Sequence, residues 1–300
     1  MTPRPFRLRL DVVPVFTAPV SSASARPATG FAYLDTVCDP AGSVIAMAHR
    51  GGAAHPDLPG LENTQHAFDH AVALGYRYLE TDVHATSDGV LLAFHDSSLD
   101  RVTGTPGQIA RLRAAEVADA LIAGEHPVPT MASLFEAFPD CRFNIDLKSA
   151  AAVQPLADLV RRTGSEDRVC VGSFSHRRTD AFRRATGGRV ATAATPAEVV
   201  AFRTLPAARL AHAVASRPAV LQVPHRRGRF TVVTPGLVRR AHAVGVHVHV
   251  WTIDSPGEMH ALLDLGVDGL ITDRTDVLKR VLLDRGQWQP PRGAPGTEAR

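Results

Sequence analysis

The chain has 300 residues, 45% of them hydrophobic and 21% charged, with a formal net charge of +3. That length suits one α/β barrel, and so small a charge gives no reason to expect a nucleic-acid partner, the more so with no RNP motif, zinc-finger spacing or basic arm. No run of about 18 apolar residues exists, so no transmembrane segment is expected.

Residues 1–28 carry Arg4, Arg7 and Arg9, then VVPVF, then the small run SSASA. Asp11, Pro14 and Pro19 interrupt the apolar stretch, so a flexible extension is expected rather than a secretory leader, and with it a cytoplasmic location. From residue 40 short apolar runs alternate with alanine- and leucine-rich segments of helical period. Strands are predicted at 44–49, 76–83, 142–148, 168–173, 189–194, 219–223, 246–251 and 268–272. Helices are predicted at 64–74, 130–138, 151–163, 175–185, 196–203, 235–244, 256–265 and 275–284. This alternation predicts a parallel sheet, and eight strands close a barrel. The fold class is therefore α/β, a (β/α)8 TIM barrel over residues 29–285.

Asn63-Thr64 can cap the first helix, and Ser255-Pro256 supplies a cap and an N1 proline for helix 256–265. Gly75, Gly245 and Gly266 stand where helices end and a left-handed residue is needed. One segment breaks the rhythm. Asp88-Gly89 is a hairpin-type turn, LLAFH reads as a further strand ending at His95-Asp96, and a long connection over 97–129 follows, with a helical piece near 113–121. A small insertion after the second strand is expected, and long connections are usually functional. The tail 286–300 is rich in Pro, Gly and charge and is expected to be disordered. Cys38, Cys141 and Cys170 are an odd, sparse set without a CxxC partner, which points to a reducing compartment and to Cys141 and Cys170 as small buried apolar residues.

Functional groups of such a barrel collect at the C-terminal ends of its strands. The polar residues breaking the apolar runs sit there: His49-Arg50, Glu80 and Asp82, Asp146 and Lys148, and Trp251. Residues i and i+2 of a strand share a face, so Glu80 and Asp82 stand side by side and repel unless a cation or proton holds them. With Asp146 they form an oxygen-only set suited to one divalent cation, Mg²⁺ or Ca²⁺. Lys148 shares the Asp146 face and could meet a phosphate oxygen, and Arg50 is a forked donor suited to phosphate. His49 and His95 each end an apolar run and are the candidate acid/base pair. Trp251 could pack against a small carbon chain or serve the core. His247 and His249 share one face, for which packing against the helices is preferred over metal binding. His66, His70, His176, His212, His242 and His260 fall on or near helices and read as surface residues.

HRGG, LENT, LETDVHATSDGVLLAFHD, LDRVTG, FNIDLK, VHVWTID and LGVDGLITD, in that order between Phe31 and Leu283, resemble the glycerophosphodiester phosphodiesterase family. The resemblance implies a barrel with an insertion after the second strand. It also implies metal-dependent hydrolysis of a small-molecule glycerophosphodiester to sn-glycerol 3-phosphate and an alcohol. It casts His49 and His95 as the acid/base pair, Arg50 and Lys148 as phosphate contacts, Trp251 as a border of the glycerol, and Glu80 and Asp82 as metal ligands. The family's third carboxylate is usually Glu in an E-x-K pattern. Asp146 stands there instead, its reach shorter by about one C–C bond, roughly 1.5 Å. Two alternatives are a phospholipase D-like enzyme acting on lysophospholipids or sphingolipids, which would need an apolar lip at the mouth, and a non-catalytic phosphodiester-binding barrel. The loop HRRGRF, from His225 to Phe230, reads as solvated.

Overall fold

The computed structural model describes residues 26–35, 44–214 and 218–288. Cys38, most of the expected N-terminal extension and residues 289–300 of the expected tail lie outside the described residues. Eight parallel strands form the sheet: β1 (Ile45–His49), β2 (Tyr78–Ala85), β3 (Arg142–Leu147), β4 (Val169–Gly172), β5 (Ala191–Thr192), β6 (Val220–Pro224), β7 (His247–Trp251) and β8 (Gly269–Thr272). Their order is β5-β4-β3-β2-β1-β8-β7-β6. The ends of that order meet at an Ala193–Val220 bridge, where Ala194 N donates to Val220 O at 2.8 Å and Ala219 N donates to Thr192 O at 3.0 Å. This is the expected (β/α)8 barrel.

The first helix, α1 (Gln65–Ala73), follows β1, and helices at Met131–Ala137, Val153–Thr163, His176–Ala185, Pro196–Thr204, Pro235–His242, Pro256–Asp264 and Thr275–Asp284 follow the other strands in turn. Thr64 Oγ1 caps α1 by accepting from Ala67 N at 3.1 Å. Ser255 occupies its cap position without a side-chain bond. A further helix, Ala208–Val214, was not expected. β5 is shorter than predicted because Thr195 turns away to form a capping box with Glu198.

The insertion also differs in detail. Leu91–Ala93 pairs antiparallel with β2, as the DG turn requires. The helical piece expected near 113–121 is instead a 3-10 turn at Ile109–Arg111 and one α-turn at Ala114–Val117. Leu92, Phe94, Leu99, Ile109, Val117, Ala120 and Ile122 give this segment a small core of its own.

Strand periodicity divides the main core into two shells. Leu79, Phe143, Ile145, Val171, Leu221, Val248 and Leu270 face the helices. Ile45, Met47, Tyr78, Cys170, Ala191, Val220 and Ile271 fill the barrel. His247 and His249 alternate with Val248 and Val250 and therefore point into the barrel, which corrects the expectation that they pack against helices. Gly269 makes this possible, since a Cβ there would lie 2.8 Å from His249 Cδ2. Burial, with His247 beside it, holds the His249 imidazole well below its usual pKa, and so neutral.

The N-terminal end of the barrel is closed by residues 26–35. Tyr33 and Leu34 are buried in the interior shell. Tyr78 Oη donates to Tyr33 O at 2.9 Å, the two rings meet edge-on at 5.3 Å, and His247 Nε2 lies 2.9 Å from Pro27 O. Tyr33→Ala leaves a cavity under the barrel, and a loss of about 3–5 kcal/mol in urea unfolding is expected, by analogy with Phe→Ala in cores.

Candidate active site

β1 runs into three successive left-handed residues, Arg50 (φ 51°), Gly51 (φ 86°) and Gly52 (φ 100°). Gly51 must be glycine for a second reason: a Cβ there would lie 2.6 Å from Ala67 Cβ on α1. Arg50 tolerates this uncommon conformation because its amide is held, 3.0 Å from Glu80 O and 3.1 Å from Glu80 Oε2. Asn63, also left-handed, donates its amide to Arg50 O at 2.9 Å, and Thr81 Oγ1 donates to Asn63 Oδ1 at 2.7 Å. The HRGG and LENT segments thus form one hydrogen-bonded unit over the end of β2.

The carboxylates face inward beside it. Asp82 lies opposite Asp146 in the β2–β3 register, and Glu80 opposite Asn144. Lys148 Nζ bridges two of them, 2.8 Å from Asp82 Oδ1 and 2.7 Å from Asp146 Oδ2. Arg50 Nε is 3.1 Å from Asp82 Oδ2, close enough for an ion pair but not aligned for a hydrogen bond. Burial pushes the Glu80 carboxyl up to about 7, against the pull of His49 and with the help of Asp82. Burial likewise raises Asp146. Burial works against Asp82 too, yet Lys148 and Arg50 hold it below the usual carboxylate range.

Two imidazoles flank this rim in matching fashion. His49 Nδ1 is 2.7 Å from Asp273 Oδ1, and His95 Nδ1 is 2.7 Å from Asp96 Oδ1. A carboxylate at Nδ1 fixes the ring and favours the proton there, leaving Nε2 for chemistry. Burial lowers the His49 pKa, but Glu80 and Asp273 outweigh it and leave the value raised. The His49 side chain is 16% exposed and that of His95 34%. Arg101 donates to Asp96 Oδ2 at 2.6 Å and to both Glu62 oxygens at 2.6 and 2.9 Å, while Glu62 accepts from Arg50 at 3.3 Å.

All eight residues singled out in the sequence lie at the C-terminal end of the barrel. Direct contacts join His49, Arg50, Glu80, Asp82, Asp146 and Lys148. His95 joins them through Asp96, Arg101 and Glu62. Trp251 stands apart, its ring 5.8 Å from that of Phe174. Sequence reasoning missed Asp273, Asp96, Glu62, Arg101 and Phe174. Asp96 and Asp273 follow apolar runs at strand ends, the same sign that marked His49 and His95. Glu62, Arg101 and Phe174 carry no such sign.

The donor set fits a hard cation. Asp146 Oδ1 is a buried carboxylate oxygen without a hydrogen-bond partner, and Asp82 Oδ2 has only the unaligned Arg50 Nε beside it; such oxygens are costly to bury unless a cation meets them.

A (β/α)8 barrel whose mouth carries paired Asp–His units beside an acidic and basic rim has the makings of an acid/base hydrolase. The model of the glycerophosphoryl diester phosphodiesterase family matches residues 49–277. The "Probable glycerophosphodiester phosphodiesterase 2" of Mycobacterium tuberculosis is 42% identical over 250 residues, covering 82% of this chain and 94% of that protein. A lysophospholipase D of Rattus norvegicus is 26% identical over 272 residues, covering 79% of this chain and 85% of that one. Among solved structures, a glycerophosphodiester phosphodiesterase from Agrobacterium tumefaciens aligns with TM-score 0.65 at 24% identity, over 78% of this chain and 99% of that one. An Oleispira antarctica phosphodiesterase, solved with the product sn-glycerol-3-phosphate, aligns with TM-score 0.66 at 21% identity, over 80% and 97% of the two chains. The chain belongs to the glycerophosphoryl diester phosphodiesterase family and is a phosphoric diester hydrolase.

Asp273→Asn removes both a hydrogen bond and a negative charge from His49. The His49 pKa is therefore expected to fall in an NMR titration of the imidazole; an unchanged value would contradict the pairing.

Proposed function

We propose that the protein hydrolyses glycerophosphodiesters to sn-glycerol 3-phosphate and an alcohol, using a divalent cation, Mg²⁺ or Ca²⁺, and His49 and His95 as its acid/base pair. The observation that carries this reading is the matched pair of carboxylate-backed imidazoles beside Arg50 and Lys148. Glu80, Asp82 and Asp146 would hold the cation, which when bound supplies Lewis-acid stabilisation of charge on the phosphate oxygens. Lys148 already takes Asp146 Oδ2, so Asp146 has Oδ1 to offer; hard cations keep waters, which would make up for its short reach.

Arg50 and Lys148 meet the negative charge of the diester, and their donors stabilise the further charge that builds up in the transition state. Trp251 gives the glycerol carbons a flat apolar border. His49, whose proton is favoured by Glu80 and Asp273, suits the donor role. It gives its Nε2 proton to the departing alcohol oxygen as the P–O bond breaks. His95 takes the proton of the attacking water as the new P–O bond forms, and the two histidines exchange states through solvent.

Replacing either histidine by Ala is expected to lower kcat on glycerophosphocholine by about 10²–10⁴-fold, read as glycerol 3-phosphate released. A diester with a nitrophenol leaving group needs no proton donor, so it should restore His49→Ala and not His95→Ala. Equal rescue of both, or activity that survives chelator, would overturn the assignment.

A second reading, a lysophospholipid substrate, is favoured by one observation. Phe174 is 63% exposed and packs against Trp251, which supplies an apolar lip that the sequence did not display. Phe174→Ala should then reduce turnover of lysophosphatidylcholine by about tenfold or more, the effect of about 1.4 kcal/mol of lost apolar contact, while glycerophosphocholine turnover holds. Equal effects on both substrates would restrict the enzyme to the smaller diester.

A further inference from the structure

The sequence places His55, Asp57 and His70 in no role, and His70 was read as a surface residue. The loop between β1 and α1 folds back over the helix and brings them together. His55 is buried, His70 half-buried and Asp57 76% exposed. The His55 and His70 rings lie 4.3 Å apart at 60°. Asp57 Oδ2 is 3.8 Å from His55 Nδ1 and 3.9 Å from His70 Nε2. Among the described residues this is the one group of three His, Cys, Asp or Glu side chains whose ligand atoms all fall within 4.8 Å of one another. Glu80, Asp82 and Asp146 do not close to that span.

These distances are too long for hydrogen bonds. His55 Nδ1 accepts the Asp57 amide at 3.1 Å, so it presents a lone pair and not a proton. Burial, with His55 next to it, lowers the His70 pKa, which favours the neutral ring that a metal ligand must be. The three side chains thus cluster with no hydrogen bond from one side chain to another. Ligands of a tetrahedral zinc ion, bonded at about 2.0–2.1 Å, lie about 3.4 Å apart. Asp57 Oδ2 would approach each imidazole by about half an ångström, which its exposed side chain can supply, and the two rings, with centroids 4.3 Å apart, would turn to bring their nitrogens to the same separation. The His55 lone pair would pass from the Asp57 amide to the ion.

We propose that His55, Asp57 and His70 bind a second cation of the zinc class, with a water at the fourth position, which ties the loop carrying Arg50 and Glu62 to α1. Two imidazoles and one carboxylate are a donor set for zinc rather than for Mg²⁺ or Ca²⁺. The site stands apart from the acidic rim and does not depend on the function assigned to that rim.

The test uses the full chain and the metal alone. Cobalt(II) absorbs strongly in the visible when tetrahedral and weakly when octahedral, which separates this site from an all-oxygen one. Metal-free wild type and Glu80→Gln are each expected to gain the tetrahedral band with one equivalent of Co²⁺, and to show a raised Tm with Zn²⁺. Asp57→Asn, an exposed substitution that leaves the core untouched, and His70→Ala should lose the band and bind Zn²⁺ at least about tenfold more weakly, a loss already seen when only the supporting partner of a ligand is removed. Absence of a band in wild type, a band lost in Glu80→Gln, or a band retained in Asp57→Asn and His70→Ala would each overturn the proposal.

Discussion

Confining three carboxylates to a nearly dry rim is the constraint that organises this end of the barrel. Two such charges 4 Å apart repel by about 4 kcal/mol at an effective dielectric of 20. Every neighbouring element answers that repulsion. Lys148 spans Asp82 and Asp146, Arg50 leans on Asp82, and His49 stands 3.7 Å from Glu80. Arg50 reaches its place only through a left-handed turn, and that turn exists only because the Glu80 carbonyl and carboxylate both hold its amide. The positive groups that balance the rim are also those that, on the proposed reading, would meet a phosphate, so that the same charges would serve stability and binding.

The long insertion has a mechanical part in this. His95 comes from its edge, far from β1 in sequence, and the proposed acid/base pairing requires a fixed position relative to His49. Arg101 supplies it by clamping Asp96 on one side and Glu62 on the other. Glu62 in turn touches Arg50. One guanidinium therefore couples the insertion to the β1–α1 loop, and its fork geometry can engage two carboxylates at once.

Much of this was legible in the sequence because strand periodicity is a local property. Parity alone placed Glu80 with Asp82, and the strand-ending polar residues marked the mouth. The same parity, taken from Trp251 backwards, puts His247 and His249 inside the barrel, where the missing side chain of Gly269 and the carbonyl of Pro27, neither near them in sequence, make room and a partner for them. Pairings between residues far apart in the chain were not legible, even where a residue such as Asp273 stood at a strand end. Asp273 lies 224 positions from His49, and nothing short of the closed barrel brings them together. His70 shows a third kind of difficulty, since a helix face looks solvent-exposed until a loop without period folds over it.

The segment over residues 26–35 touches β2 through Tyr78 and β7 through His247, the latter 220 positions further along the chain. Its seat is the floor of a barrel that exists only after β8 has paired with β1. In a growing chain this stretch emerges ahead of all eight strands, yet its contacts with β2 and β7 can coexist only when both walls are in place. Until then the inward faces of Ile45, Met47 and Tyr78 are open from below, and contacts of such high sequence separation form slowly. Tyr33 and Pro27 therefore record closure as well as packing, since their contacts with Tyr78 and His247 coexist only in the closed barrel.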